Sequence, residues 1–246
     1  MAEYDAIADE YAASKQLPWR REVEQPTLFG LVGDVRGRSV LDLACGDGIY
    51  ARTLADRGAA RVHGVDLSGG MIDLARRAED ANPRGITYSV SDASDVRGLD
   101  GFDVVMAAYL FNYAQDRAQL RRMAESAFRN LKPGGRLCGV NDNPRTAPAR
   151  YRYYPEFGFL RYIEKPQREG SSITWSIQPA TGEACIFDNF WIAPETYREV
   201  FEEVGFTEFR FVDAHVTPGA DPAPFRDFLD DCPICGISAV RPAGTG

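Results

Sequence analysis

The sequence predicts a doubly wound α/β fold: a seven-stranded, mainly parallel sheet with an antiparallel hairpin at one edge and an inserted, aromatic-rich cap. Short apolar runs alternate with helical stretches as far as residue 141, the pattern of a parallel sheet joined by crossover helices. Residues 151 to 191 break that alternation and hold ten aromatic side chains. A helix and two further strand-like runs then close the fold.

Each element has a local reason. Ser39-Val40-Leu41-Asp42-Leu43 is an apolar run that ends in the turn Ala44-Cys45-Gly46-Asp47-Gly48 and gives way to a helix from Tyr50 to Arg57. A second strand, Arg61 to Val65, stops at Asp66, and Ser68 caps a helix from Met71 to Ala81. This strand-helix-strand unit is complete within about 30 residues, as a parallel pair requires. Strands follow at Ile86 to Ser91 and Phe102 to Ala107, with a helix from Gln115 to Asn130. Leu131-Lys132-Pro133-Gly134-Gly135 stops that helix, because proline cannot continue it and glycine supplies the turn into a strand from Arg136 to Val140. Pro194-Glu195-Thr196 opens a helix to Val204, and Gly205 ends it. Phe206 to Val212 and Ile234 to Val240, joined through Pro218 to Pro224, read as the antiparallel pair. A single domain thus divides into an N-terminal helical lid (1–38), a core (39–144), the cap insertion (145–193) and a C-terminal helix and hairpin (194–241).

Composition bounds the function. The 246 residues are 44% hydrophobic and 26% charged, a globular balance that excludes a disordered or fibrous chain. With 28 Lys and Arg against 36 Asp and Glu the net charge is -8, which opposes a polyanionic partner and leaves no basic footprint for nucleic acid. Cys45, Cys138, Cys185, Cys232 and Cys235 are an odd, scattered set, expected to be reduced thiols of a cytoplasmic protein. The acidic start, Met1-Ala2-Glu3-Tyr4-Asp5, lacks the basic and apolar regions of a signal peptide. No apolar run approaches the ~18 residues that span a bilayer, so no membrane partner is expected.

Gly46-Asp47-Gly48-Ile49-Tyr50-Ala51 fits the two-glycine dinucleotide pattern closed by Gly or Ala, and Asp66 lies 20 residues after Gly46. Glycines there let backbone N–H groups at a helix start approach a ligand, and a carboxylate at a strand end accepts from both hydroxyls of a ribose. That much suits an NAD enzyme equally. Three features separate the cases. Asp42, four residues before Gly46, would oppose a pyrophosphate and pair with an ammonium group. Asp92, in Ser91-Asp92-Ala93, can accept from an adenine amino group, and the break at 131–135 precedes the fifth strand. Together they favour an adenosine that carries an amino acid.

As an ordered set over residues 39–140, Val40-Leu41-Asp42-Leu43-Ala44-Cys45-Gly46-Asp47-Gly48, Val65-Asp66-Leu67-Ser68 with Met71, Asp92-Ala93, Phe102-Asp103-Val104-Val105 and Leu131-Lys132-Pro133-Gly134-Gly135 resemble the class I S-adenosylmethionine-dependent methyltransferases, whose core is Rossmann-like. Ala44 stands where the family often has a first glycine. The resemblance implies that Asp42 and the loop Ala44, Cys45, Gly46, Asp47 and Gly48 hold the methionine moiety of S-adenosylmethionine. It further implies Asp66 at the ribose, Leu67 and Met71 on the adenine face, Asp92 with Ala93 at the adenine edge, and Ala108 beside the cofactor. More narrowly, Tyr109-Leu110-Phe111-Asn112-Tyr113-Ala114 and the ending with Gly236-Ile237 look like small-molecule methyltransferases of the toxoflavin-synthase type, which are azapteridine N-methyltransferases. In such enzymes an N-terminal helix closes over the cofactor. Tyr4, Ile7, Ala8 and Tyr11 share one helical face, which puts Tyr4 and Tyr11 at the cofactor and Tyr11 near the transferring methyl.

The expected function is methyl transfer to O or N of a small, aromatic or heterocyclic molecule in secondary metabolism, by a cytoplasmic monomer or homodimer. Tyr109, Asn112, Tyr113, Asn141 and Asp142, at strand ends around one opening, are expected to meet substrate. Alignment of the reactants supplies much of such a barrier, about 7 to 11 kcal/mol for well-oriented pairs, so a general base is optional. Tyr11, Asn112 and His215 are the catalytic candidates; a histidine titrates near neutrality, whereas His63 reads as a strand residue. Cys232-Pro233-Ile234-Cys235 has redox or metal spacing without a second pair and reads as packing, so no metal is expected. The competing readings are an NAD-type oxidoreductase and a cofactor-binding module without turnover.

Overall fold

The computed structural model describes residues 8–99, 101–147, 153–165, 167–179 and 183–244. Two N-terminal helices, α1 (Ala8–Ser14) and α2 (Gln25–Val32), flank a π-helical turn at Arg20–Glu24. The core then runs β1 (Ser39–Leu43), α3 (Ile49–Asp56), β2 (Arg61–Asp66), α4 (Gly69–Ala81), β3 (Thr87–Val90), β4 (Phe102–Ala108), α5 (Arg117–Asn130) and β5 (Leu131–Asp142). The short β6 (Tyr153–Tyr154) precedes β7 (Phe159–Ile163), β8 (Ser171–Ile177) and β9 (Cys185–Trp191). The chain closes with α6 (Pro194–Val204), β10 (Thr207–Asp213), α7 (Arg226–Asp230) and β11 (Ile234–Val240).

Seven strands form the main sheet in the order β10-β11-β5-β4-β1-β2-β3. The pairs β1–β2, β1–β4, β2–β3 and β4–β5 are parallel, and β11 runs antiparallel to both β5 and β10. This is the predicted doubly wound sheet with its antiparallel edge. Val40, Leu41, Leu43, Val104 and Val105 are all fully buried, as strands covered on both faces must be. Ser68 caps α4 as predicted, accepting from Met71 N, and Gly205 ends α6 as predicted, with φ 108°. Asp116, expected inside the helix, caps α5 instead, accepting from Gln119 N at 2.7 Å.

Three elements depart from expectation. The break at 131–135 lies inside β5, which pairs with β4 from Phe102 across a register irregularity. The stretch between β10 and β11 contains α7, where only a proline-rich connection was expected. The cap folds as a second antiparallel sheet, β6-β7-β8-β9. Strand β7 alternates strictly, with Phe159, Arg161 and Ile163 buried and Leu160 and Tyr162 exposed. Trp19 ties this sheet to the N-terminal segment and to α7. It is 1% exposed, with ring centroids 5.5 Å from Phe159, 5.5 Å from Phe228 and 6.4 Å from Trp175. Such aromatic pairs contribute about 0.5 to 1.5 kcal/mol each beyond the area they bury.

In β5, Gly139 packs where a Cβ would sit 1.9 Å from the Ala107 carbonyl oxygen of β4. Gly139→Ala is expected to lower stability by about 3 kcal/mol or more, the upper range for overpacking, because backbone rather than a flexible side chain must move. Chemical denaturation of the two proteins measures it.

Candidate active site

The carboxyl ends of β1, β2 and β4 open into a cleft lined by Tyr11, Lys15, Ala44, Cys45, Gly46, Asp47, Ile49, Tyr50, Asp66, Met71, Ala108, Tyr109 and Tyr113. The loop from Ala44 to Gly48 shapes its floor. Ala44 and Gly46 hold φ of 61° and 56°, and nothing lies within 4 Å of where a Gly46 Cβ would stand. Gly48 opens α3 in the left-handed region, and a Cβ there would meet Tyr88 Oη at 2.6 Å. Asp66 accepts from Gly46 N at 2.8 Å and from Ser68 N at 2.9 Å, so the carboxylate also fastens the loop to the end of β2.

Acid is concentrated here. Asp42 is 1% exposed and neither carboxylate oxygen has a hydrogen-bond partner. Burial, with Asp66 nearby, pushes its pKa well above the ordinary carboxylate range. Burial raises Asp47 and Asp66 as well, opposed at Asp66 by hydrogen bonds from Ser68, Gly46 and Leu67.

Facing this acid is a cluster that local spacing did not reveal. Lys15, 5% exposed, carries its Nζ 4.7 Å from the Tyr50 ring centroid, 5.0 Å from Tyr11 and 5.5 Å from Tyr109. Its ion pair with Glu24 spans 4.0 Å, whereas Arg20 Nη1 reaches Glu24 Oε2 at 2.7 Å. Tyr109 Oη donates to Glu24 at 2.6 Å, and Tyr50 Oη donates to the other carboxylate oxygen. Burial opposes the Glu24 charge, yet Arg20, Lys15 and the two phenols outweigh it and hold the pKa below its usual value. Breaking one arm of such a buried pair costs about 3 to 5 kcal/mol, because a charge is left unmet. The π-helical turn brings Arg20 and Glu24 onto the same buried side. Their i, i+4 spacing and the Tyr11–Lys15 spacing were the signals available in the sequence.

A second, smaller cavity adjoins the first through Tyr11, Tyr109 and Tyr113, which line both. Its other walls are Trp19, Arg20, Asp142, Trp175, Ile177, Phe187 and Asn189. Asp142 accepts from Trp175 Nε1 at 2.9 Å and from Asn189 Nδ2 at 3.0 Å. Trp175 and Phe187 come from the aromatic cap. Asn189 was overlooked, although it alternates with Phe187 and Cys185 on one face of β9.

The remaining sequence candidates lie outside these linings, and Tyr4 falls outside the described residues. Asn141, expected at the substrate, is committed to the frame: Oδ1 accepts from Asn112 N at 2.9 Å, and Nδ2 donates to Asp142 O and Tyr197 Oη. Asn112 is buried, and its side-chain amide has no hydrogen-bond partner. His215, expected as a base, packs its ring beside Gly30 of α2, while its backbone pairs with Thr27 Oγ1, so the imidazole sits against a helix and away from both cavities. His63 bridges Thr87 and Ser89 between strands. Asp92 is exposed and caps the turn at Ala93, accepting from Ser94 N at 2.8 Å. Leu67 is 61% exposed and Val90 51%, an apolar pair at the ends of β2 and β3.

Residues 40–135 match the family described as methyltransferase domain. Over 225 residues, 83% of this chain and 83% of the relative, the sequence is 30% identical to demethylmenaquinone methyltransferase of Symbiobacterium thermophilum. The chain is a class I S-adenosylmethionine-dependent methyltransferase. The methyltransferase is also 29% identical over 194 residues to N-demethylindolmycin N-methyltransferase of Streptomyces griseus, covering 77% of this chain and 78% of that one. Its fold matches a solved S-adenosylmethionine-dependent methyltransferase of Clostridium acetobutylicum with a TM-score of 0.69 at 16% identity, over 96% and 99% of the two chains. The oxidoreductase reading is thereby set aside. No helix among the methyltransferase's described residues is long and apolar enough to cross a membrane.

The raised pKa of Asp42 has a consequence for stability. The folded state holds its proton more tightly than the unfolded chain does, so stability falls as pH rises from about 4, the ordinary aspartate range, through the folded pKa. Asp42→Asn is expected to raise the unfolding midpoint of the cofactor-free methyltransferase at neutral pH, with the gain shrinking toward pH 4. A set of thermal melts across pH checks it.

Proposed function

We propose that the methyltransferase transfers the methyl of S-adenosylmethionine to O or N of a small, aromatic or heterocyclic molecule held in the second cavity. The observation that carries this reading is the shared wall: Tyr11, Tyr109 and Tyr113 border both cavities, so a cofactor in one and an acceptor in the other would meet at those rings. The bound cofactor supplies a methyl already activated on a sulfonium, and the chain's task is to orient the acceptor and exclude water.

The cleft fits that cofactor on three counts. The open space over Gly46 admits a ligand against backbone, Asp42, buried behind the lining within electrostatic reach of Asp66 and Asp47, leaves a carboxyl unpartnered for an ammonium group, and Lys15 offers an ammonium toward a carboxylate. In this reading Asp66 takes the ribose, Met71 the adenine face, and the segment up to residue 38 acts as the lid. The net charge of -8 and the small aromatic cavity support a small acceptor over nucleic acid. In this reading the enzyme is cytoplasmic and serves secondary metabolism.

Asp66→Ala should weaken S-adenosylhomocysteine by about 1.5 to 3 kcal/mol in a calorimetric titration. Lys15→Met should cost a similar amount with S-adenosylhomocysteine yet leave 5′-methylthioadenosine, which has no carboxylate, unchanged; equal losses on both ligands would remove Lys15 from the carboxylate. For the acceptor, labelled methyl is expected to pass to flat heterocyclic or phenolic compounds. Transfer confined to protein or RNA would overturn the reading.

A further inference from the structure

Two buried oxygens in the second cavity lack partners. Asp142, 3% exposed at the end of β5, receives both of its hydrogen bonds on Oδ2, and Oδ1 is buried without one. Asn189, 1% exposed on β9, gives its Nδ2 to that carboxylate. A carboxylate oxygen receiving two N–H donors cannot itself donate, so the amide orientation is set and Asn189 Oδ1 is turned away, also buried and unpartnered. Folded proteins seldom leave such acceptors unmet. The indole Nε1 of Trp19, on the same cavity, is a buried donor without a partner.

Building on the reading of this cavity as the acceptor site, we propose that Asp142 and Asn189 form a two-point hydrogen-bond acceptor that selects an uncharged, flat substrate carrying two donors along one edge. Trp175 and Asn189 hold the carboxylate in place, and Trp19, Trp175 and Phe187 supply apolar surface for a ring. Burial already disfavours the Asp142 charge, only partly offset by Arg161 and Arg20, so an anionic substrate would add a second buried negative group beside it. It would find no free cation there among the described residues, since Arg20 is paired with Glu24 at 2.7 Å and Arg161 does not line the cavity. A ring without donors is rejected because it seals two oxygens away from water with nothing to bind, the logic by which sites built on buried polar groups discriminate.

The test uses the full chain saturated with S-adenosylhomocysteine, with quenching of tryptophan fluorescence as the readout. The probes are 2-amino-4(3H)-quinazolinone, which carries adjacent N–H and NH₂ donors, quinazoline, which has none, and 2-naphthoate, an anion. The aminoquinazolinone is expected to bind at least tenfold more tightly than either of the others. Asp142→Asn is expected to erase that preference while binding S-adenosylhomocysteine within twofold of wild type. Asn189→Ser should reduce the preference at least threefold, and it stands as the test where Asp142→Asn does not fold. Equal binding of all three probes by wild type, tighter binding of naphthoate, or an unchanged preference in a folded variant overturns the donor-edge proposal alone. Binding of none of the probes overturns it together with the acceptor-cavity reading.

Discussion

Glu24 is a carboxylate sealed from water, and the site is assembled around meeting its charge. Four side chains converge on it: Arg20 and Lys15 from the N-terminal segment, Tyr50 from the first turn of α3, and Tyr109 from the end of β4. A buried charge tolerates little freedom, because any partner that moves away leaves a desolvated group behind. The N-terminal segment, the glycine loop's helix and the sheet edge are thus held in one arrangement. Tyr109 adopts φ 60°, a left-handed conformation that costs a bulky residue about 1 to 3 kcal/mol. Its hydroxyl on Glu24 and its backbone N–H on Val140 O hold it there, where its ring separates the two cavities.

The cleft balances opposite charges at close range. Asp42, Asp47 and Asp66 crowd one side, and burial disfavours the charge on each. Lys15 stands among tyrosine rings on the other. A ligand with separated positive and negative groups relieves both sides at once, which is why the acid excess in the composition is compatible with a zwitterionic cofactor. The second cavity is held differently, by aromatic packing around Trp19 and by one carboxylate fastened at Oδ2.

Much of the fold was legible because its signals are local. Ser68 and Gly205 mark helix ends, the run Ser39–Leu43 reads as a strand, and Gly46 and Asp66 stand 20 residues apart across one strand-helix-strand unit. The second sheet was written in Phe159–Ile163 and Ser171–Ile177 with equal clarity, but the aromatic content masked the period of two. At the site, Asn141 and His215 had the right residue types at strand ends, yet hydrogen bonds to Tyr197 and Thr27 bind them into the frame. Lys15, Arg20, Glu24 and Asn189 carried weak spacing signals and no motif.

The sequence by itself determined the doubly wound core, its antiparallel edge and the methyltransferase family, because caps, glycine turns and short-range spacing act within a few residues. Tertiary structure alone decided which polar groups face a ligand. Whether a carboxylate is a strut, like Asp103 on Ser39, or an open acceptor, like Asp142 Oδ1, depends on partners from distant segments that meet it only after the chain has folded.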